Sequence, residues 1–187
     1  MMRDKETNSW WSIMSAKAVD GDMKGALLQE TSLGEKVQWA EWVRRHPDTQ
    51  VLSVKGVTHE KENPYQEYFD SGDTFRSIMP DDNRLPPKTP IFAFRHDGKT
   101  FAIPHSVIEG GQTVNLAGSS GPEVFFWRKP GADLFDTSHG FRLEESLDGA
   151  EGLQAYEAVR ETADRVIGID TYWYNWVPQN PGTRLLP

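Results

Sequence analysis

The sequence contains no cysteine, which excludes disulfide bonds, thiolate nucleophiles, iron–sulfur clusters and zinc sites with thiolate ligands. It has no apolar run of about 18 residues, so no membrane-spanning helix is predicted, and the charged start over residues 1–6 does not match a signal peptide. Its 28 acidic residues outnumber its 20 basic residues, and the net charge of −8 argues against a nucleic-acid partner.

The sequence also lacks the usual motifs for nucleotide binding, for a serine nucleophile and for metal binding. There is no Gly-x-Ser-x-Gly elbow, no Gly-x-Gly-x-x-Gly loop and no Walker loop. Residues 20–25 begin like a calcium loop, but Lys24 occupies a ligand position and Thr31 stands where a bidentate glutamate is needed. The five histidines lack zinc-binding spacings. The sequence therefore predicts no metal site and no cofactor.

The clearest local pattern is a β-hairpin, in which residues 91–95 and 99–103 alternate around Asp97-Gly98. The remaining elements are shorter and separated by glycine and proline. Strands are predicted at 9–13, 26–30, 49–54, 113–116 and 123–127. Helices are predicted before Pro47, where Ser32 and Glu35 have capping-box spacing, at 150–164, where Asp148 and Glu151 have N-cap spacing, and, for about two turns, at 171–177. These elements predict a strand-rich α+β fold with few short helices.

An internal repeat is present at an offset of 134 residues. Residues 39–43, followed by Pro47, Thr49 and Leu52, match residues 173–177, followed by Pro181, Thr183 and Leu186. Two tryptophans coincide in each copy, and the pattern predicts two related halves. A proline-rich connection over about 70–90 suggests modules at 1–85 and 86–187.

Short motifs spread over residues 1–104 and the last fifteen residues carry a family resemblance. They are Arg3–Thr7, Ser9, Trp11, Ala18, Gly21, Gly25, Leu28, Trp39–Trp42, His46–Thr49, Val51–Ser53, Asn63–Tyr65, Tyr68, Leu85–Lys88, Ala102–Pro104, Trp173, Trp176 and Pro181. In combination they resemble the C-terminal part of a bacterial and archaeal family catalogued as domain of unknown function 3179.

The resemblance implies a duplicated architecture whose first half is incomplete here, because residue 1 would lie partway through it. It also implies an extracytoplasmic or envelope-associated setting. The chain departs from the family pattern at Ile103, where the family has tyrosine, over 105–165, where few motifs match, and in lacking the family's cysteine-containing motif.

Aromatic residues are the most unusual feature, since 187 residues include seven tryptophans. Alternation places Trp10 and Trp11 on opposite faces of a strand, and the four aromatic residues within 172–176 are too many for one buried face of a two-turn helix. Some aromatic residues are therefore expected on a recognition surface. The candidate binding residues are Trp11, Trp39, Trp42, Tyr65, Tyr68, Trp173 and Trp176.

Two hypotheses of function follow. The first is a non-catalytic binding or structural module, a possible subunit of a larger envelope-associated assembly, whose first half is expected to be completed by a protein partner, by another copy or by a missing N-terminal segment. The alternative is an enzyme of unknown reaction with a histidine and carboxylate site between the halves, for which His59, His105 and His139 are the candidates. The two differ in whether these histidines and an acid meet in one pocket.

Overall fold

The computed structural model describes residues 1–29, 34, 36–52, 64–116, 123–133 and 136–187. The strands in these ranges are β1 Met2–Arg3, β2 Trp10–Ser12, β3 Lys17–Asp20, β4 Pro90–His96, β5 Lys99–Pro104, β6 Gln112–Asn115, β7 Glu123–Trp127, β8 His139–Leu143, β9 Gly168–Tyr172 and β10 Arg184–Leu185. The α-helices are α1 Trp39–Arg45, α2 Gln66–Asp70, α3 His105–Ile108, α4 Gly152–Val159 and α5 Trp173–Trp176, and 3₁₀ turns span Phe75–Ser77 and Val177–Gln179.

The predicted hairpin forms the centre of the fold. Asp97 and Gly98 both have positive φ, 48° and 70°, as a two-residue primed turn requires. Strands β4 and β5 pair antiparallel, β9 joins β4 antiparallel, and β10 joins β5 in parallel, so the central sheet has the order β10-β5-β4-β9. The hairpin prediction is confirmed.

Alternation along the hairpin divides its side chains between two cores. Ile91, Ala93 and Ala102 face α5 and pack with Trp173 and Trp176. The opposite face carries apolar residues that pack against a second sheet, β6-β7-β8; they are Phe92, Phe94, Phe101 and Ile103. Because successive strand residues point to opposite faces, the central sheet is covered on both sides.

The second sheet continues this layering. Val124 and Phe126 of β7 face the central sheet, whereas Phe125 and Trp127 face α4, where they pack with Ala155. The order across this part of the molecule is therefore α5, central sheet, second sheet and α4. This arrangement confirms a strand-rich α+β fold with several sheets and few short helices.

Gly168 of β9 lies too close to β4 to carry a side chain. A Cβ atom there would lie 2.4 Å from Phe92 Cζ and 2.9 Å from the carbonyl oxygen of Ala93. Because the second contact is with backbone, it cannot be relieved by a rotamer change. We expect Gly168→Ala to destabilise the protein by about 1–3 kcal/mol. Chemical denaturation measures this loss, with Gly72→Ala, where no atom lies within 4 Å of a new Cβ, as the control.

A small N-terminal sheet, β1-β2-β3, precedes these layers. The strand predicted at 9–13 is present as β2, and the turn after β3 uses Gly21 at φ 90°. The strand predicted at 26–30 is wrong for its described residues, which contribute only one bridge, between Leu27 and Lys17. The longer pairing belongs to Lys17–Asp20, whose Ala18 is buried.

Three other expectations need correction. Helix α1 begins only at Trp39, with Gln38 as an N-cap that makes no side-chain bond, and the capping residues predicted for it, Ser32 and Glu35, lie outside the described residues. The strand predicted at 49–54 does not form over its described part, 49–52. Residues 171–172 belong to β9, so the helix predicted at 171–177 shortens to α5 and a 3₁₀ turn.

The helix predicted at 150–164 is present over Gly152–Val159 and begins after Glu151 rather than at the predicted cap, Asp148. Strands β6 and β7 match the strands predicted at 113–116 and 123–127 to within a residue or two at each end. Among the described helices, none has the length and apolar character needed to cross a membrane. The division into modules at 1–85 and 86–187 stays a prediction.

Candidate functional site

The two Trp-x-x-Trp segments form the same local hydrogen bonds. The Nε1 group of Trp42 donates to Thr49 Oγ1 over 2.9 Å, and Trp176 Nε1 donates to Thr183 Oγ1 over 2.8 Å. Thr49 N donates to the carbonyl of His46, and Thr183 N to that of Asn180. All of these pairs are related by the offset of 134, so the local geometry supports the predicted repeat.

The surroundings of the two segments differ sharply. Trp173 is fully buried, whereas Trp39, at the matching position, is 56% exposed. Leu186 is buried beside β5, whereas its counterpart Leu52 is 93% exposed. Trp42 is half-buried and lies against the His46 ring, with 4.1 Å between ring centroids. The first segment thus exposes apolar residues whose counterparts in the second segment are buried in the core.

The second segment also shows what covers such a face. Trp173 and Trp176 pack on the β4–β5 hairpin, and the strand that follows them, β10, pairs with β5. Leu186 N donates to the carbonyl of Ala102 at the end of this pairing. These two tryptophans, predicted as binding candidates, therefore contribute to the core and are not accessible.

Tyr68 lies in a cluster of tyrosines beside α5. Its hydroxyl is 2.6 Å from that of Tyr174, and Lys88 Nζ lies 4.3 Å from its ring centroid. Burial, together with the hydrogen bond to Tyr174, raises the pKa of Tyr68 above its ordinary value. Tyr65, one turn earlier, is exposed. This cluster ties α2 to the central sheet and leaves Tyr65 as its accessible member.

Trp11 has a local structural contact. Its Nε1 group donates to Asp4 Oδ2 over 2.6 Å, and Thr7 donates to the same carboxylate through its amide and its hydroxyl. The hydrogen bond from Trp11, followed by those from Thr7, lowers the pKa of Asp4 to about 2. The family-like motif at the start of the chain therefore builds a turn. The seven predicted binding residues do not form one surface.

A buried charged cluster joins the two larger sheets. Asp170 of β9 points between them; its Oδ1 lies 2.8 Å from His105 Nε2 and 3.7 Å from Arg128 Nη1. Its Oδ2 accepts the Ser138 amide over 2.9 Å. The side chains of Asp170 and Arg128 are each only 4% exposed. An ion pair at this depth is costly to break by removing one partner.

Opposing effects act on the Asp170 carboxyl. Burial raises its pKa, but hydrogen bonds from His105 and Ser138 outweigh burial and hold the pKa below its ordinary value. Arg128 also donates to the Ser138 hydroxyl and to the carbonyls of Asp133 and Asp136. The cluster therefore holds Asp133, Asp136 and Ser138, which lie between β7 and β8.

An open cleft of about 1100 Å³ lies near this part of the molecule. Residues next to the cluster in sequence line it, including Trp127, Lys129, Thr137 and His139. Its other walls come from residues 36–45 and from α4 and the residues that follow it. The lining residues are Lys36, Val37, Gln38, Glu41, Arg44, Arg45, Gly110, Trp127, Lys129, Pro130, Asp136, Thr137, His139, Phe141, Leu153, Tyr156, Arg160, Glu161 and Arg165.

The two candidate catalytic histidines that the structure describes, His105 and His139, do not meet in this cleft. His139 lines it, but His105 is buried against Asp170 and is not among the lining residues. His59 lies outside the described residues. Within the described ranges, no three histidine, aspartate or glutamate side chains come together as a metal-binding group.

Several residues of these sites were not predicted from the sequence. The only sequence feature that could have indicated Asp170 is its acidic side chain in the middle of the short strand β9. No sequence feature indicated Arg128. The cleft draws its basic residues from separate parts of the chain, which no local pattern links. His105 and His139 were considered only as members of a shared pocket.

Comparison with known proteins gives one finding. A family model described as "Protein of unknown function (DUF3179)" matches residues 1–183, and so extends through the stretch 105–165 in which few motifs were recognised. No curated protein matches, and no solved structure matches.

Proposed function

Starting from the fact that the chain belongs to the DUF3179 family, we propose that it is a non-catalytic binding module that holds a β-hairpin of a protein partner on the exposed face of its first Trp-x-x-Trp segment. We call this surface the α1 face and define it by Trp39, Trp42, Val51 and Leu52. The observation that carries the proposal is the contrast between this face and its buried counterpart.

The packing around the second Trp-x-x-Trp segment indicates what kind of partner would fit the α1 face. At the second segment a hairpin contributes small and branched apolar residues, Ile91, Ala93 and Ala102, opposite two tryptophans. Its edge strand also pairs with the residues before Leu186. A partner hairpin with the same alternation would bury large tryptophan area and pair with backbone near Val51.

The exposure of the α1 face supports a role in binding a protein partner. Trp39, Val51 and Leu52 are all more than half exposed, and they lie on one structural unit held by the bond from Trp42 to Thr49. Several large apolar side chains exposed on one short unit are a feature of interaction sites. A tryptophan with few rotatable bonds also loses little conformational entropy on binding.

The alternative, an enzyme with a histidine and carboxylate site, stays a hypothesis. Its closest geometric match is the pair His105 and Asp170, but both side chains are less than a tenth exposed, and Asp170 also contacts Ser138 and Arg128. A general acid or base must reach the proton that it transfers. This pair is better explained as a structural link between sheets.

A titration with a synthetic hairpin tests the proposal. The probe is a head-to-tail cyclised peptide carrying residues 90–104, in which the four apolar residues facing the second sheet are replaced by threonine for solubility. We expect it to bind the intact chain and Leu52→Asp to weaken binding at least tenfold, because a carboxylate would be desolvated at the contact. Isothermal titration calorimetry measures the affinity.

The controls use matched positions. Leu27→Asp introduces the same charge at an exposed leucine outside the α1 face and should leave binding unchanged. A second peptide with Ile91→Asp should not bind. The proposal is wrong if the first peptide shows no binding, or if Leu27→Asp and Leu52→Asp weaken it equally.

A further inference from the structure

The cleft lined by Trp127, Thr137 and His139 has an excess of basic residues, whereas the protein as a whole is acidic. Its lining includes six basic residues and three acidic residues, whereas the chain as a whole carries 20 basic and 28 acidic residues. Concave walls of low dielectric concentrate the field of such charges. A cleft with this excess, in an acidic protein, points to an anionic ligand.

The basic residues stand on different elements around the cleft. Arg44 and Arg45 belong to α1 and share one acidic partner, Glu41, with which they form contacts of 2.7 and 3.4 Å. Arg160 follows α4 and forms ion pairs with Glu157, at 3.1 Å, and with Glu161, at 3.4 Å. Lys129, after β7, makes no ion pair with any residue that the structure describes. Basic side chains from more than one wall of the cleft can therefore contact the anionic groups of a ligand.

Aromatic rings line the cleft between these charges. Trp127 and Tyr156 are stacked, with ring centroids 5.1 Å apart and planes 19° apart. His139 lies 5.6 Å from Tyr156, and Arg165 donates to its Nδ1 over 2.8 Å, so the second ring nitrogen carries the proton. The half-buried ring of Tyr156 offers a flat surface with a hydrogen-bond donor beside it.

The walls of the cleft are held in place without a ligand. Arg128 donates a hydrogen bond to the carbonyl of Asp136, which lines the cleft. The backbone of Lys36 is bonded to the Thr137 hydroxyl: Lys36 N donates to Thr137 Oγ1 over 2.6 Å, and the hydroxyl donates to the carbonyl of Lys36. A site that is already ordered loses less entropy on binding. The volume of about 1100 Å³ lies just above the usual range for small-ligand sites, roughly 300–1,000 Å³.

We propose that this cleft binds a small organic dianion built on a flat aromatic ring, with the ring against Tyr156 and the anionic groups near Lys129 and Arg160. This site is distinct from the α1 face. At 100° per residue, Arg44 and Arg45 project from the side of α1 away from Trp39, although the Arg45 guanidinium also lies over the Trp42 ring, 5.9 Å from its centroid.

Calorimetric titration with three probes tests the proposal. Naphthalene-1,5-disulfonate carries both features, sulfate carries only the charge, and 1-naphthalenemethanol carries only the ring. We expect the disulfonate to bind at low ionic strength, with affinity that falls as sodium chloride is raised, and each of the other probes to bind at least tenfold more weakly. Equal binding of sulfate and disulfonate would overturn the aromatic part of the proposal.

Variants locate the site and separate it from general electrostatics. The double variant Lys129→Gln, Arg160→Gln should weaken disulfonate binding at least tenfold. The double variant Lys24→Gln, Lys99→Gln removes the same charge at exposed positions outside the cleft and should change affinity less than twofold. Equal weakening by both double variants, or no disulfonate binding at all, would contradict the proposal.

The ring is tested at Tyr156. Tyr156→Leu removes the flat surface and should weaken binding, whereas Tyr156→Phe keeps the ring and should retain most of the affinity. A change in the indole NMR signal of Trp127 on adding disulfonate gives a second readout, because Trp127 stacks on Tyr156. If Tyr156→Leu binds like the intact protein and the Trp127 signal is unmoved, the ligand does not occupy this cleft.

Discussion

Asp170→Asn is expected to lower the free energy of unfolding by about 3–5 kcal/mol, because it removes the carboxylate from a buried ion pair and leaves the Arg128 guanidinium without its counter-charge. For a chain of this length each kcal/mol lowers the melting temperature by about 2–4 °C, so a loss of roughly 10 °C follows. Thermal unfolding followed by circular dichroism measures it. Asp73→Asn, at an exposed aspartate, is the matched control and should change little.

The same carboxylate makes stability depend on pH. Because the pKa of Asp170 is lower in the folded protein than in the unfolded chain, its contribution is present above the unfolded pKa, about 3.9, and is lost as the pH falls through the folded pKa. The intact protein should therefore lose stability more steeply below about pH 4 than Asp170→Asn does. Equal acid sensitivity of the two proteins, or a melting temperature unchanged by the substitution, would show that the cluster does not join the sheets.

Trp173→Ala and Trp39→Ala are expected to have very different effects although they alter matching positions of the two segments. Trp173 is fully buried in the core formed by α5 and the hairpin, so its removal should cost about 3–5 kcal/mol. Trp39 is mostly exposed, and its removal should change stability by only about 0.5 kcal/mol. Urea denaturation of both variants measures the difference.

This pair also separates stability from recognition. Trp39→Ala should fold normally yet bind the cyclised hairpin at least tenfold more weakly than the intact chain. Trp10→Ala, at an exposed tryptophan in the N-terminal sheet, serves as its control and should bind normally. If Trp39→Ala were as destabilising as Trp173→Ala, the α1 face would be part of the folded core and unavailable to a partner.

The parts of the fold that were predicted from the sequence are those fixed by neighbouring residues. Asp97-Gly98 requires positive φ at both positions, and alternating apolar residues on each side determine the two strands of the hairpin. The local bonds of Trp42 and Trp176 are likewise set by residues seven positions apart. In these cases the local pattern and the tertiary structure require the same conformation.

The features that were not predicted depend on distant partners. Residues 50–52 have strand-like composition, but β10, their counterpart, is a strand because β5 lies beside it. The Asp170 cluster joins residues from α3, β9 and the chain after β7, and only the packing of the two sheets brings them together. The sequence also suggested Trp173 and Trp176 as surface candidates, because it does not reveal which of two similar segments is covered.

The most direct test of the proposed function is hydrogen–deuterium exchange of the intact chain with and without the cyclised hairpin. Binding at the α1 face predicts slower amide exchange over residues 36–52, by at least tenfold near Val51, where the partner strand would pair, and unchanged exchange in the N-terminal sheet. Leu52→Asp should abolish this protection. Unchanged exchange over 36–52 at saturating peptide, or protection confined to another part of the chain, would contradict the proposal.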